Sequence, residues 1–293
     1  MNKWKKILGV FFILALIGAT VSYFFRTDLI LWAVKNRDLP PIATETPEIN
    51  WQLGPEEAGQ PISERPPNII LILADDLGIN DISAFGGGVA DGLVPTPSID
   101  RIAAEGVNFS QGYAGNATCS PSRAMLMTGR YATSTGFEFT PTPADMGRVV
   151  SLIVGDIRPD LPNGDFYSEA AAQRPAYEAQ GLPSEEITIA EVLENAGYHN
   201  IHIGKWHLDG QGRSSYIPKE RRLGYDYWQA LECTHNYFKS LYYENDAMEP
   251  EYWEGYDAES QTRSAKEYIK NRDPDKPFFL TLSWGPPHDP YIA

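Results

Sequence analysis

The sequence predicts a doubly wound α/β fold, in which a mostly parallel central sheet carries helices on both faces. Apolar segments of strand length alternate along the chain with amphipathic segments of helical period, which is the order typical of such sheets. The hydrophobic content of 42% is that of a packed core rather than of a disordered chain. The 293 residues are enough for one large domain or two small ones.

The first predicted elements follow each other closely. Residues 68–74 form a continuous apolar run, which is typical of a parallel strand buried on both faces. Thr96 is suited to cap a helix that begins at Pro97, and Gly106 lies just past its end. Residues 107–113 are predicted to form a short strand.

The later elements continue the alternation of helices and strands. A helix with Pro121 in its first turn is predicted to end at Gly129. The remaining elements are an amphipathic helix over 187–196 closed by Gly197, a strand over 200–206, a helix over 262–270 and a buried strand over 278–284. Residues 137–183 have several prolines and glycines without periodicity, so they are predicted to be a surface insertion of the kind that shapes substrate pockets.

The N-terminal residues predict a membrane anchor. Lysines in the basic segment 1–6 precede the uncharged run 7–25, which at about 1.5 Å per residue just spans a hydrocarbon core of about 30 Å. The lysines favour the cytoplasmic side, which places the rest of the chain outside the cytoplasm. A glycan on the sequon at Asn116 would crowd the neighbouring Cys119, so we expect a bacterial periplasm or cell surface. A cleaved signal peptide is the alternative. Residues 26–66 are read as a linker and 67–293 as the folded domain.

The negative net charge limits the kinds of molecule that the protein is expected to bind. The formal charge is −15 and the pI is near 4.7, and no basic stripe with interleaved aromatics occurs, so nucleic-acid binding is excluded. An anionic substrate would need a local group of cations or a metal ion that overcomes this field.

Polar residues follow three of the predicted strands, where ligands collect in open α/β sheets. Asp75 and Asp76 follow the first strand, and such a pair suits a hard divalent cation, calcium more readily than magnesium. The alternative is a turn with both carboxylates in water. Lys205 and His207 lie two apart, and period two places them on one face of a strand end. His288 follows the last apolar strand.

Cys119 is placed by Pro121 at the start of a helix, where backbone N–H groups favour an anion. Arg123 is suited to donate paired hydrogen bonds to a tetrahedral oxyanion. The alternative is a buried cysteine at a helix start with an exposed arginine. Cys233 either pairs with Cys119 in a disulfide or, if Cys119 is modified, is a small buried apolar residue.

These motifs resemble those of the formylglycine-dependent sulfatases, in the alkaline phosphatase-like superfamily. The run C-S-P-S-R at 119–123, followed by T-G-R at 128–130, matches their signature C-x-P-S-R…T-G-R in full. Asp75-Asp76 resembles their metal-binding A-D-D-x-G opening, and residues 287–290 resemble their P-H-x-P turn. Residues 197–207 resemble their second signature, with Asn200 where serine or threonine is usual.

The resemblance implies a sulfuric ester hydrolase of the arylsulfatase kind. A formylglycine-generating enzyme would convert Cys119 to 3-oxoalanine (formylglycine), whose hydrate attacks the sulfur of a sulfated small molecule or glycan. One Ca²⁺ per site would be bound by Asp75, Asp76 and residue 119. The other implied roles are charge balance by Lys205 and Arg123, protonation of the leaving alcohol by His288, proton uptake by His207, and contacts of Thr234 and His235 with the sulfate or sugar.

The resemblance covers residues 67–292, and the family's later metal ligands and second lysine are not among them, so the chain is expected to be the N-terminal portion of a sulfatase. Two other functions stay open: a phosphonate monoester or phosphodiester hydrolase of the same superfamily, and a membrane-tethered protein that binds sulfated glycans without turnover. His199 and His202 are predicted to be surface and packing residues. An aromatic cluster is either ordinary core or a platform for sugar rings; its members are Tyr216, Tyr225, Tyr227, Trp228, Tyr237, Tyr242, Tyr243 and Trp253.

Overall fold

A six-stranded mixed sheet lies at the centre of the computed structural model, which describes residues 65–87, 94–140, 181–210 and 216–290 together with Trp4, Phe12 and Tyr23. The strands are β1 (Ile69–Leu73), β2 (His199–Lys205), β3 (Tyr227–Leu231), β4 (Leu241–Glu244), β5 (Glu251–Tyr252) and β6 (Phe278–Ser283). Their spatial order is β1-β6-β2-β3-β4-β5. Strands β1, β6, β2 and β3 are parallel, and β4 and β5 complete the sheet in antiparallel pairing. The four parallel strands therefore end at the same edge.

Helices lie on both faces of this sheet, as predicted. They are α1 (Pro97–Glu105), α2 (Cys119–Thr128), α3 (Ala132–Thr135), α4 (Ile189–Asn195) and α5 (Asp257–Asn271), with 3-10 turns at Ile79–Asp81, Ser83–Phe85 and Lys219–Arg221. On one face Trp228 and Phe279 pack with residues of α2 and α4. On the other face Ile203 and Leu280 pack with Ala265 of α5. Alternate residues of one strand point to opposite faces, so β6 contributes to both clusters.

The predicted burial of the first strand on both faces is wrong. Ile69 and Leu71 pack against the cluster that contains Trp228, but Ile70 and Ile72 are 50% and 48% exposed. The reason is position: β1 is at the end of the strand order, and no described element packs over Ile70 and Ile72. All six residues of β6, which lies between β1 and β2, are buried.

Local sequence signals set most of the helix ends. Gly129 follows α2 with a φ of 67°, and its N–H donates to the carbonyl of Met125 at 2.8 Å, as expected of a glycine that ends a helix. Thr188 and Glu191 form a capping box at the start of α4. Thr96 precedes α1 as predicted, but its hydroxyl does not cap an N–H of the helix, because it is bonded to Ser83 and to the side chain of Asp100 instead.

Two further predictions about elements are corrected. Residues 107–113 form turns rather than a strand, and the side chains of Val107, Phe109 and Tyr113 are exposed. Strands β3, β4 and β5 were not predicted, since they are short and rich in aromatic and polar residues, and β5 has only two residues.

The predicted basic segment 1–6, anchor 7–25 and linker 26–66 lie outside the described residues, apart from three exposed helical positions, Trp4, Phe12 and Tyr23, and the start of the folded unit at Arg65. Within the part of the chain that the structure describes, no helix has the length and apolar character needed to cross a bilayer. Most of the predicted insertion 137–183 is likewise outside the described residues, and its two described ends place Phe137 and Leu182 in the core.

Candidate active site

The carboxyl ends of the parallel strands bring charged residues together. Asp75 follows β1, Lys205 is the last residue of β2, and Ser283 is the last residue of β6. All three are buried. The order of the strands therefore joins residues that are up to 208 positions apart in sequence, as the rule for open α/β sheets predicts.

Asp75 is the acceptor at the centre of this group. Its Oδ1 accepts a hydrogen bond from Arg123 Nη2 at 3.2 Å, and its Oδ2 accepts one from Lys205 Nζ. Burial of Asp75 disfavours its ionised form, but the charges of Arg123 and Lys205 and their hydrogen bonds outweigh this, so that the pKa of the carboxyl group is lowered. Asp75 is thus held as an anion between two cations.

Arg123 links three strand ends. Its Nη1 donates to the Lys205 carbonyl at 2.9 Å and to Ser283 Oγ at 2.6 Å, while Nη2 contacts Asp75. It is buried, so the alternative of an exposed arginine is wrong. Its Nε is also buried and has no hydrogen-bond partner within the described ranges, which leaves one donor of this arginine available. Both Nη groups already serve protein acceptors, and the predicted contact with an oxyanion stays a prediction.

Cys119 is the first residue of α2, and it lies against the strand ends. One ligand atom each from Cys119, Asp75 and His288 lie within 4.8 Å of one another. The predicted metal ligands were Asp75, Asp76 and Cys119; Asp76 joins this group through His288, whose Nε2 is 3.5 Å from Asp76 Oδ2. The helix start is shaped by Asn116, whose Oδ1 accepts hydrogen bonds from the N–H and the hydroxyl of Thr118, both at 2.9 Å.

Left-handed backbone marks two of the predicted site residues. Asp76 has a φ of 60° and His207 a φ of 62°, and residues other than glycine rarely adopt such angles. Since β2 ends at Lys205, the period-two argument that placed Lys205 and His207 on one face does not extend to His207. Strained backbone of this kind is concentrated at functional sites, where the surrounding structure holds it.

The segment after β3 also reaches the site. The ring of His235 lies against that of His288, with 4.7 Å between the centroids. Thr234 is half-buried, and its Oγ1 accepts a hydrogen bond from the N–H of Asn236 in a local turn. The structure therefore brings His235 to the predicted histidine turn, and it places Thr234 one residue from that contact.

Two functional neighbours were missed at the level of sequence. Glu232 directly follows β3 and is buried; it accepts hydrogen bonds from the N–H groups of Leu208 at 3.1 Å, Asp209 at 2.8 Å and Gly210 at 2.6 Å. It thereby fixes the loop that begins at His207. Burial raises the pKa of Glu232 to about 7, and these N–H donors limit the rise. Had β3 been predicted, the strand-end rule would have identified Glu232. Ser283 lies at the end of the predicted strand 278–284, so the same rule applied to it, but a single serine in an apolar run was not singled out.

Close backbone approach requires glycine at one point of this edge. Gly204 has a φ of 105°, and a Cβ placed there would lie 2.1 Å from the Ser283 carbonyl oxygen. The absence of a side chain lets β2 and β6 approach where Lys205 and Ser283 meet Arg123.

The side chains at this edge include oxygen donors that a divalent cation could use. Calcium takes about six to eight oxygen ligands. Asp75 and Asp76 are hard donors, and residue 119 would become one if its thiol were replaced by the hydrate of an aldehyde. The thiol itself and His288 are softer donors. The residues present therefore fit a hard cation as part of its shell.

The remaining cysteine and histidines have packing positions. No disulfide joins Cys119 and Cys233, and Cys233 is buried as predicted. His202 is enclosed by aromatic rings, whereas half-buried His199 contacts the hydroxyl of Tyr268 through Nδ1 at 2.5 Å.

The chain is similar in sequence to known sulfatases. A sequence model of the Sulfatase family matches residues 67–293. The ulvan-active sulfatase of Formosa agariphila is 37% identical over 226 residues, which are 77% of this chain and 36% of that protein. The N-acetylglucosamine-6-O-sulfatase of Bacteroides thetaiotaomicron is 29% identical over 230 residues, 76% of this chain and 31% of that protein. The chain thus spans about a third of the length of these relatives.

Solved structures share the fold of this chain. A protein in complex with its substrate D-glucosamine-2-N,6-O-disulfate aligns with a TM-score of 0.55 and 28% identity, over 76% of this chain and 35% of that one. A protein in complex with k-i-k-neocarrahexaose aligns with a TM-score of 0.56 and 27% identity, over 77% of this chain and 46% of that one.

Proposed function

The chain belongs to the sulfatase family, and from this premise we propose that its protein hydrolyses sulfate esters of a carbohydrate. The observation that carries the proposal is the placement of Cys119 within 4.8 Å of Asp75 and His288, beside the buried cations Lys205 and Arg123. A sulfate ester needs positive groups around its oxygens, and this chain has an overall charge of −15. Lys205 and Arg123 supply local positive charge at the edge where Cys119 lies.

The proposed reactive group is formylglycine at position 119, made from Cys119 by a formylglycine-generating enzyme. Its hydrate supplies the nucleophile for the sulfur and allows sulfate to leave by elimination, which regenerates the aldehyde. The start of α2 supports this position, because N–H groups at a helix N-terminus favour an anion. Mass spectrometry of the peptide that contains residue 119 tests it: active protein with only an unmodified thiol there would contradict the scheme.

The proposed metal is one Ca²⁺, held by Asp75, Asp76 and residue 119 together with ligands beyond this set. Asp75 and Asp76 balance the charges of Lys205 and Arg123, so these four residues have no net positive charge. A bound divalent cation would add the positive charge that sulfate oxygens require. Loss of activity with a chelator and its return with calcium alone would support this assignment; full activity in the chelator would contradict it.

The proposed roles of Lys205, Arg123, His288 and His235 draw on their positions, and the role of His207 draws on the family motif. Lys205 lies at the end of β2, beside Asp75, and would neutralise a sulfate oxygen. Arg123 orients Asp75 and Lys205 through its hydrogen bonds to both. His288, the histidine beside Cys119, would donate a proton to the departing alcohol, and His207 would accept one from the hydrate. His235 packs on His288 and, with Thr234, would contact the sugar.

The substrate class is proposed from the relatives, several of which are named for sulfated glycans. Release of inorganic sulfate from ulvan and from sulfated glycosaminoglycans by the whole protein tests it, with Cys119→Ala as the inactive control. An aryl sulfate and an aryl phosphodiester, compared as substrates, separate the sulfatase from a phosphodiester hydrolase. Faster turnover of the diester would contradict our proposal, and binding of ulvan without sulfate release would indicate a binding protein.

We also propose that residues 7–25 anchor the protein in a membrane with the folded domain outside the cytoplasm. The lysines before this uncharged run support the orientation. Extraction of cell membranes with alkaline carbonate tests it, since an anchored protein stays in the membrane pellet, whereas release into the supernatant would contradict the anchor.

A further inference from the structure

A cleft of about 550 Å³ lies on the face of the sheet that α5 covers, between α5 and strands β3, β4 and β5. None of the active-site residues described above lines it. Its size is within the range of about 300–1,000 Å³ that is usual for small-molecule sites. Its walls include tyrosines and a tryptophan from the aromatic cluster that the sequence left open between core and sugar platform.

Two buried polar groups in this cleft have no partner. Gln229, on β3, is 7% exposed, and Trp253, after β5, is 6% exposed. Neither Gln229 Oε1 nor the Trp253 indole N–H has a hydrogen-bond partner among the residues that the structure describes. An unpaired buried polar atom is costly. Other atoms of this kind occur among the described residues, and these two belong to residues that line the cleft. Here one is an acceptor and the other a donor.

Aromatic rings give the cleft its apolar surface. Trp253 stacks on Tyr242 with 4.0 Å between the centroids, and this pair forms a rigid wall. Tyr252, on β5, is 55% exposed and lines the same cleft. Tyrosine and tryptophan present a broad apolar face at low cost in side-chain entropy, and the C–H face of a pyranose ring is a matching surface.

The charges in the lining are balanced and do not favour an anion. Glu254 and Glu267 are matched in number by Arg263 and Arg272. Arg263 is also used locally, since its Nη2 donates to the Glu254 carbonyl at 3.2 Å and to Ser260 Oγ. With no excess of positive charge in the cleft and a strongly acidic chain around it, a neutral sugar suits this cleft better than a sulfated one.

We propose that this cleft is a second carbohydrate site, which binds a neutral pyranose ring apart from the catalytic edge. The ring would lie on Tyr252, the exposed tyrosine of the lining, with one hydroxyl donating to Gln229 Oε1 and another accepting from the Trp253 N–H. This inference extends the proposed function, because a sulfated glycan also contains unsulfated sugars, but it does not depend on the chemistry of residue 119.

The test is saturation-transfer NMR of the full chain, in a detergent without a sugar headgroup, with neutral methyl pyranosides of glucose, galactose, mannose, xylose, rhamnose and N-acetylglucosamine. We expect at least one to bind, and Tyr252→Ala to weaken that binding about tenfold, as expected for loss of a ring contact. Tyr131→Ala removes an exposed tyrosine outside the cleft and is the matched control, with binding retained.

Gln229→Leu separates a binding role from a structural one. It removes an acceptor that has no partner in the described protein, so we expect the folded state to be as stable as before or more stable, while sugar binding falls about tenfold. Binding by none of the six sugars, or binding that Tyr252→Ala and Gln229→Leu leave intact, would overturn the proposal. So would binding lost on Lys205→Ala, which would place the sugar at the catalytic edge. Sulfate release is measured separately, so a failed sugar site and a failed sulfatase assignment give different results.

Discussion

His202 gives the sharpest test of the packing behind the active site. The imidazole is 1% exposed and is enclosed by the rings of Trp206, Tyr225 and Trp228, with centroids 5.0 to 5.1 Å away. Burial, together with the nearby charge of Arg123, lowers its pKa from 6.5 to about 3. The folded protein therefore holds a neutral histidine that the unfolded chain protonates below pH 6.5.

The direction in which stability changes with pH follows from that difference in pKa. The stabilisation from a lowered pKa is complete above pH 6.5 and is lost as the pH falls towards 3. Between pH 7.5 and 4.5 the unfolded chain takes up nearly one proton that the folded state refuses, and the loss in free energy of unfolding is about 2.7 kcal/mol. At a urea m-value of about 3 kcal/mol/M this equals a fall of about 0.9 M in the unfolding midpoint.

The measurement has to be a difference between variants. Burial raises the pKa of Glu232 and of Asp257 to about 7, and a raised pKa makes stability fall as the pH rises, which opposes the contribution of His202 in the same window. Urea unfolding of the wild type and of His202→Phe is therefore compared at several pH values from 4.5 to 7.5. Phenylalanine keeps an aromatic ring in the enclosure and cannot titrate.

We expect the stability of His202→Phe relative to the wild type to rise by about 2.7 kcal/mol as the pH falls from 7.5 to 4.5. Parallel pH profiles for wild type and His202→Phe would refute the reasoning, because they would mean that the buried ring binds its proton as readily in the folded protein as in the unfolded chain.

Three other changes test the edge and its surroundings. Gly204→Ala forces a Cβ against the Ser283 carbonyl at a φ of 105° and should lower the free energy of unfolding in urea by about 3–5 kcal/mol. The control Gly129→Ala, at a φ of 67° with open space around it, should lower it by only about 1–2 kcal/mol. Equal losses would contradict the close approach of β2 and β6. Arg123→Ala leaves Asp75 and Ser283 without their shared donor and should lower the free energy of unfolding by about 3–5 kcal/mol. The control Arg130→Ala should lower it by about 1 kcal/mol, because the Arg130 side chain is 51% exposed in its pair with Glu186. Similar losses for the two variants would argue against the link between strand ends. Asp257→Asn should remove a fall in stability of up to about 1.4 kcal/mol per unit between pH 4 and 7, and an unchanged profile relative to the wild type would show that this carboxyl group is not perturbed.

The sequence was most informative where one residue decides a local structure. Gly129 ends α2, and three of the predicted strands became β1, β2 and β6 within one or two residues of the predicted bounds. It was least informative where tertiary contacts decide. The exposure of Ile70 and Ile72 depends on the place of β1 at the end of the sheet, and strand order is not written in any local pattern. The hydroxyl of Thr96 is suited to capping, but Ser83, 13 residues earlier, takes it instead.

The same distinction explains which site residues sequence reasoning reached. Asp75 and His288 follow predicted strands and Lys205 lies at the end of one, so the rule that strands deliver ligands at their carboxyl ends was enough to group them. Glu232 obeys the same rule, but the strand before it, Tyr-Trp-Gln-Ala-Leu, is a mixture of aromatic and polar residues and was not recognised as a strand. The mixture arises because the two faces of β3 have different surroundings: Trp228 packs in a core, whereas Gln229 lines the cleft. The residue that obscured β3 in the sequence is thus the one whose unpaired oxygen motivates the second carbohydrate site. A buried polar side chain is costly unless it is bonded. Gln229 Oε1 has no partner among the residues that the structure describes, and this atom, rather than the polarity of the strand, points to a ligand.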